Sequence, residues 1–270
     1  MTSIAIIGAG GRMGQAIVRR AGQTPGATIA AAIEQVGHAA IGRDAGELAG
    51  IDAIGVAITD QLDALSAADA VIDFTFHTAV PTHVRAAQEA GKAFILGTTG
   101  LTDEEAATVH AAAKTIPVVS APNMSLGMNL LFAMVKQAAA GLNETYDIEI
   151  IEAHHRHKQD APSGTALGLA ENAAAGRGVE LAEVADYGRH GMTGERVPGR
   201  IGIHAIRAGD IVGDHTVIFA TEGERLELTH RASSRDTFSV GAVKAALWAV
   251  GKPAGLYNMQ DVLGIAPTGG

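Results

Sequence analysis

Short apolar runs alternate with helically spaced segments over the first 125 or so residues. Residues 3–7, 28–33, 70–73, 93–96 and 116–120 are short, rich in Val, Ile and Ala, and bounded by Gly, Pro or polar positions. That pattern predicts strands buried on both faces. Residues 13–20, 78–90 and 103–114 between them repeat their apolar positions at helical spacing, so the pattern predicts a doubly wound parallel sheet. The period then changes. After a predicted helix over 126–140, residues 147–153, 201–206, 211–220 and 226–230 alternate as strands with one solvated face do. A last helix is expected over 238–250, and the polar, glycine-containing stretch 181–198 reads as a mobile loop.

The predicted class is therefore α/β: a doubly wound parallel-sheet domain followed by a mixed α+β domain with an open, largely antiparallel sheet. Residues 1–125 and 236–270 are assigned to the first domain and 126–235 to the second.

Composition narrows the function. The chain has 270 residues, 47% of them hydrophobic, with 34 glycines, enough for one or two cores without a staple. It has no cysteine, which excludes disulfides, thiol nucleophiles and thiolate metal sites. A net charge of −9 with no basic tail argues against a nucleic-acid partner. No apolar run approaches membrane-spanning length and no basic leader opens the chain, so a cytoplasmic protein is expected.

Candidate chemistry starts at the first strand-to-helix turn, IAIIGAGGRMGQAI. Gly8, Gly10, Gly11 and Gly14 let the backbone turn tightly and approach a pyrophosphate, with helix N-terminal amides to meet its charge. Met13 breaks the strict G-x-G-x-x-G spacing, so Gly14 completes it only if the turn is one residue longer. Glu34, 20 residues beyond Gly14 at the end of the second strand, is placed to accept bonds from the ribose of a dinucleotide. A carboxylate there repels a 2′-phosphate, whereas Arg12 can neutralise one, so both NADH and NADPH fit. The loop Gly97–Gly100, sequence GTTG, lies on the same carboxyl edge and can line the nicotinamide.

The second feature is IEAHHRHKQDAPSGTA, residues 151–166. Cations crowd the end of an apolar strand, and PSGT marks a helix start. Helix N-terminal amides beside lysine and histidine make a trap for carboxylates. Other uses of these residues are a solvated basic patch, a metal site, or pairing of Lys158 with Glu152 or Asp160. A metal site fits poorly because Lys158 repels a cation and no H-E-x-x-H helix is present.

Together, GAGGRMG, GTTG, EAHHRHKQDAPSGTA, RAGDIVGDHTV and HRASSRDTF resemble the 4-hydroxy-tetrahydrodipicolinate reductase (dihydrodipicolinate reductase) family, with similarity from Ile4 to about Leu263. The resemblance implies a Rossmann-like dinucleotide-binding domain and a substrate domain whose open sheet assembles a homotetramer. It implies reduction of a cyclic dicarboxylate by NADH or NADPH, with loss of water, in diaminopimelate and lysine biosynthesis. Residues Gly8, Ala9, Gly10, Gly11, Arg12, Met13 and Glu34 would bind the cofactor, with Gly97, Thr98, Thr99, Ala121, Pro122, Asn123 and Met124. His154 and Lys158 match the proton-handling pair; His155, Gly164 and Thr165 match contacts to the substrate carboxylates. Gln35, where some relatives have arginine, weakens the case for NADPH, and Met124 stands in place of an aromatic residue.

Lys158 is the expected proton donor, with His154, His155 and Arg156 disfavouring its charge. Closure about connections near Ser125 and Arg235 is expected to bring the two ligands together. A different small-carboxylate dehydrogenase shares the glycine turn and Glu34 but has no need of HHRHK followed by PSGT, and a dinucleotide-sensing module would bind the cofactor without oxidising it.

Overall fold

The computed structural model describes residues 1–234 and 236–265. The expected hinge residue Arg235 and the end of the assigned first domain, residues 266–270, lie outside the described residues. In chain order the elements are β1 (Thr2–Ile7), α1 (Arg12–Gln23), β2 (Ala27–Ile33), α2 (Ala45–Leu48), β3 (Ile58–Thr59), β4 (Ala70–Asp73), α3 (Val80–Glu89), β5 (Ala93–Leu96), α4 (Asp103–Ala112) and β6 (Pro117–Ser120). There follow α5 (Leu126–Gly141), β7 (Asp147–His154), α6 (Gly164–Arg177), α7 (Leu181–Val184), β8 (Ala185–Tyr187), β9 (Ile201–Arg207), β10 (Gly213–Thr221), β11 (Glu224–Ala232), α8 (Asp236–Ala249), β12 (Gly255–Tyr257) and α9 (Met259–Leu263).

The chain divides into two units, the first made of Met1–Leu126 with Asp236–Gly264 and the second starting at Gly127. The first unit holds a seven-stranded parallel sheet in the order β12-β6-β5-β4-β1-β2-β3. Strands β4 and β5 are buried at every position, which is why they read as short, dominantly apolar runs. One core gathers Ile4, Ile6, Ile72 and Ile95 with Ala242, Val243, Ala245 and Ala246 of α8. The other gathers Val71, Phe94 and Leu96 with Val80 and Val84 of α3. The strand order reverses between β1 and β4, so the carboxyl ends of these strands flank the switch point where such sheets bind ligands.

The second unit has a five-stranded sheet in the order β11-β10-β7-β9-β8. The pairs β10–β11 and β10–β7 are antiparallel, but β7–β9 and β8–β9 are parallel. The sheet is mixed, half its pairings departing from the largely antiparallel arrangement that alternation suggests. Alternation reports which face is buried, not strand direction. Ile148, Ile150, Ile201, Ile203, Val217 and Phe219 form the core with Leu169, Ala170 and Ala173 of α6. The stretch 181–198, expected as a mobile loop, carries α7 and β8. Arg200 fastens it, donating to Asp186 Oδ1 and to the carbonyls of Glu183 and Ala185.

Candidate active site

In the first unit the phosphate turn is fixed by β2. The amides of Gly8 and Ala9 both donate to the Ile33 carbonyl, at 2.9 and 3.1 Å, and Gly11 N donates to Gly8 O. Gly10 N donates to Glu34 Oε1 at 2.9 Å, while Gln35 N donates to Oε2 at 3.0 Å. Glu34 is thus held at the turn 24 residues before it in sequence. A Cβ on Gly14 would run into the Gly8 carbonyl oxygen. Gly14 is therefore the glycine of close helix-to-strand packing, and Met13 one residue earlier does not replace it. Helix α1 then opens at Arg12 with no side-chain cap and no acidic residue in its first turn, an end suited to an anion. A Cβ on Gly10 would stand 2.6 Å from His38 Cε1 and 3.1 Å from Glu34 Oε1. His38 and Glu34 can pack this closely on the turn only because residue 10 has no side chain.

The other expected cofactor residues close β5 and β6 on the same edge of the sheet. Gly97 lies under the Phe74 ring, which a Cβ would enter. Thr98 is buried and Thr99 is exposed. Ala121 N donates to Leu96 O, and Asn123 Oδ1 accepts from Ser125 N at 2.8 Å. Met124, standing where an aromatic is familiar, is 1% exposed in the core beneath this loop. The turn, Glu34 and the two loops all belong to one rim, and the uncapped α1 with the Cβ-free turn fits a dinucleotide.

In the second unit β7 continues its core stripe from Ile148 and Ile150 into Glu152 and His154, both buried. Registers place His215 of β10 opposite Glu152 and Arg207 of β9 opposite His154, so these side chains share one face. Glu152 is fully buried and accepts from His154 Nδ1 at 2.6 Å, from Arg207 Nη1 and Nη2 at 2.7 and 2.8 Å, and from Ser163 N at 3.0 Å. Burial pushes its carboxyl up, but the bonds from Arg207, His154 and Ser163 outweigh it and hold the group below the usual carboxylate range. Because a carboxylate only accepts, His154 carries its proton on Nδ1 and turns Nε2 away. A Cβ on Gly213 would stand 3.1 Å from that Nε2.

Ser163 caps α6, its Oγ accepting from Ala166 N at 3.1 Å and lying 3.2 Å from His215 Nε2. Burial, reinforced by nearby His154, lowers His215 to a pKa of about 4, so it is a neutral ring at pH 7. Gly164 and Thr165 form the first turn of α6, and a Cβ on the exposed Gly164 would meet nothing within 4 Å. Lys158 Nζ is paired with Asp160, at 2.9 and 2.8 Å to its two oxygens. The lysine holds the Asp160 carboxyl below its ordinary range. The His155 and His157 rings are 6.2 Å apart, and no group of ligands among the described residues could hold a metal ion. The structure thus bonds His154 to Glu152, ties the start of α6 to Glu152 through Ser163, just before Gly164 and Thr165, and turns Lys158 toward Asp160. Sequence reasoning weighed Glu152 only as a partner for Lys158, read Ser163 only as part of a helix start, and gave no role to Arg207 and His215 within RAGDIVGDHTV. Their grouping depends on strand register, which no local pattern reports.

A doubly wound sheet with a phosphate turn, joined to a unit carrying cations at a helix start, defines a two-unit oxidoreductase that uses a nicotinamide cofactor. The comparisons narrow the class. Residues 2–124 match the family described as dihydrodipicolinate reductase, N-terminus, and residues 127–263 match its C-terminus. The chain is 52% identical over 266 residues to 4-hydroxy-tetrahydrodipicolinate reductase of Anaeromyxobacter dehalogenans, covering 98% of each chain. It is 54% identical over 263 residues to the Halorhodospira halophila enzyme of that name, covering 97% of this chain and 98% of the other. A dipicolinate-bound dihydrodipicolinate reductase from Paenisporosarcina sp. TG-14 superimposes with a TM-score of 0.77 at 26% identity, covering 98% of this chain and 100% of that one. The chain belongs to the dihydrodipicolinate reductase family.

Proposed function

We propose that the second unit binds 4-hydroxy-tetrahydrodipicolinate and that Lys158 supplies the proton for its reduction. The reaction is the NAD(P)H-dependent conversion of that compound to tetrahydrodipicolinate with loss of water, in diaminopimelate and lysine biosynthesis. The observation that supports the assignment is the geometry at the start of α6, which suits a carboxylate ligand. Open space lies above Gly164, and His154 is fixed in one tautomer by a fully buried Glu152. A chain of net charge −9 cannot attract a diacid at long range, so local donors do it. His155 and the first-turn amides of Gly164 and Thr165 hold the carboxylates. A relative solved with a bound dipicolinate supports a ring diacid as the ligand.

Bound on the first unit, the dinucleotide supplies the hydride. Arg12, Met13 and Gly8–Gly11 take its pyrophosphate end, Glu34 its ribose, and residues 97–99 and 121–124 the nicotinamide end. Glu34 beside a neutral Gln35 favours NADH over NADPH. Loss of the ring hydroxyl with a neighbouring C–H proton, as water, leaves a conjugated C=C–C=N. Once its far carbon carries the hydride, Lys158, having exchanged Asp160 for the substrate, donates its proton to the adjacent carbon, with His154 as its proton-handling partner. The second unit also assembles the homotetramer, through the sheet face that bears Ile151, Ile206 and Ile218, with Ile206 48% exposed. No helix among the described residues is long and apolar enough to cross a membrane, and the reaction belongs to the cytoplasm.

The test is loss of NADH absorbance with substrate made freshly by the preceding synthase. Lys158→Ala is expected to lower turnover at least about 100-fold with NADH affinity unchanged. Full turnover in that variant removes Lys158 from the role, and no oxidation by the parent protein removes the function.

A further inference from the structure

Asp73 ends β4 at the switch point with a carboxylate that is 0% exposed, and the chemistry above gives it no task. Its Oδ1 accepts from the hydroxyls of Thr75 and Thr98, each at 2.7 Å. Its Oδ2 accepts from His83 Nδ1, on α3, at 2.6 Å. Thr98 Oγ in turn accepts from Thr75 N at 2.8 Å, and Gly97 N donates to Asp73 O at 3.0 Å. One buried carboxylate therefore clips the loop after β4 to the loop after β5. The clip reaches the phosphate turn as well, since a Cβ on Gly8 would stand 2.8 Å from Phe74 O and 3.0 Å from Thr75 Cγ2.

A hydroxyl has one proton to give. That of Thr98 goes to Asp73, and one of its lone pairs takes the Thr75 amide. The residue is 8% exposed and its hydroxyl has no proton left to give a ligand, whereas Thr99 beside it is exposed.

We propose that Asp73 and His83 are positioning residues of the nicotinamide end of the dinucleotide site, acting through Thr98, whose hydroxyl serves the protein and not the cofactor. This rests on the reading that residues 97–99 line the cofactor. The cofactor meets the backbone of Gly97 and Thr98 and the hydroxyl of Thr99, and the Asp73 cluster sets where these stand. Lone buried carboxylates are costly, so a cluster this fully bonded holds a single arrangement of both loops.

The experiment measures NADH binding by fluorescence, steady-state KM and kcat, and melting temperature on two matched pairs. Thr98→Val removes the hydroxyl at constant shape and Thr98→Ser keeps it. His83→Asn keeps an N–H near the Nδ1 position and His83→Gln moves it out to the Nε2 position. Thr98→Val and His83→Gln are expected to raise the Kd and KM for NADH about tenfold with a smaller change in kcat. Thr98→Ser and His83→Asn are expected to stay within about twofold of the parent. A purely structural cluster would lower the melting temperature of Thr98→Val while the folded protein bound NADH as the parent does, and that result overturns the proposal. If Thr98→Val does not fold, equal NADH affinity of His83→Asn and His83→Gln overturns it. A parent protein that binds no NADH defeats the assignment of this rim to the cofactor, and the inference with it; normal parental binding with silent variants defeats the inference alone.

Discussion

Replacing Glu152 with glutamine keeps the shape of a fully buried side chain and removes its charge. In the native protein that charge receives four hydrogen bonds, two of them from Arg207. An amide presents one accepting oxygen and one donating NH₂, so at least one of the present donors then faces another donor. Breaking a buried ion pair from one side costs about 3–5 kcal/mol. Arg207 keeps 20% of its side chain exposed, so water relieves part of the cost and the low end, ~3 kcal/mol, applies. At ~2–4 °C per kcal/mol for a chain of this size, the melting temperature falls by about 6–12 °C. Turnover falls at least about tenfold, because His154 loses the carboxylate that fixes its tautomer, an amide being able to present either its oxygen or its NH₂. Thermal unfolding, with a double-mutant cycle against Arg207→Met, checks this. The double variant is expected to lose less than the sum of the singles by at least ~1 kcal/mol, since Arg207 is the charge that Glu152→Gln leaves unpaired. A Glu152→Gln protein melting within about 2 °C of the parent, or strict additivity in the cycle, refutes the buried-charge account.

Three further outcomes are expected. His215 titrates at about 4 in the folded chain against 6.5 in the unfolded one. The unfolded state therefore binds more protons between those values, and the stability held by the neutral ring is complete above pH 6.5 and lost as pH falls toward 4, by at most ~3 kcal/mol. Urea unfolding at neutral and acid pH checks it, with His215→Gln losing less stability on acidification than the parent. Glu34→Ala is expected to shift the ratio of kcat/KM for NADH over NADPH at least about tenfold toward NADPH, read from parallel steady-state assays with the two cofactors. Gly14→Ala places a Cβ where the Gly8 carbonyl stands and is expected to weaken NADH binding more than about tenfold, measured by titration of the folded fraction.

Sequence periodicity reports burial, and where burial decided the structure the reading holds. The five longer strands of the first sheet are recovered to within a residue or so, because each has a buried, dominantly apolar stretch. The two-residue β3 and three-residue β12 are too short to show any period. β8 is hidden in a polar stretch because it is three residues long and is held by its ladder to β9 and by Arg200, with only Ala185 against the core. In the second unit, His154, Gly164 and Thr165 stand out by residue type and spacing. Glu152 could be seen but not ranked, since its importance comes from Arg207, 55 residues away, and from Ser163. Thr98 shows the limit of motif reading: GTTG marks the loop, but only the coordinates show which threonine has a hydroxyl to spare.

The first unit is discontinuous, and this bears on how the chain is made. A ribosome releases residues 1–126 long before residues 236–264, so the nascent sheet waits with Ile4, Ile6, Ile72 and Ile95 lacking the alanine-rich cover that α8 brings. Its outer edge at β6 likewise stays open until β12 pairs with it. The segment emerging in the interval has its own core, and so the part translated second is the part able to finish first.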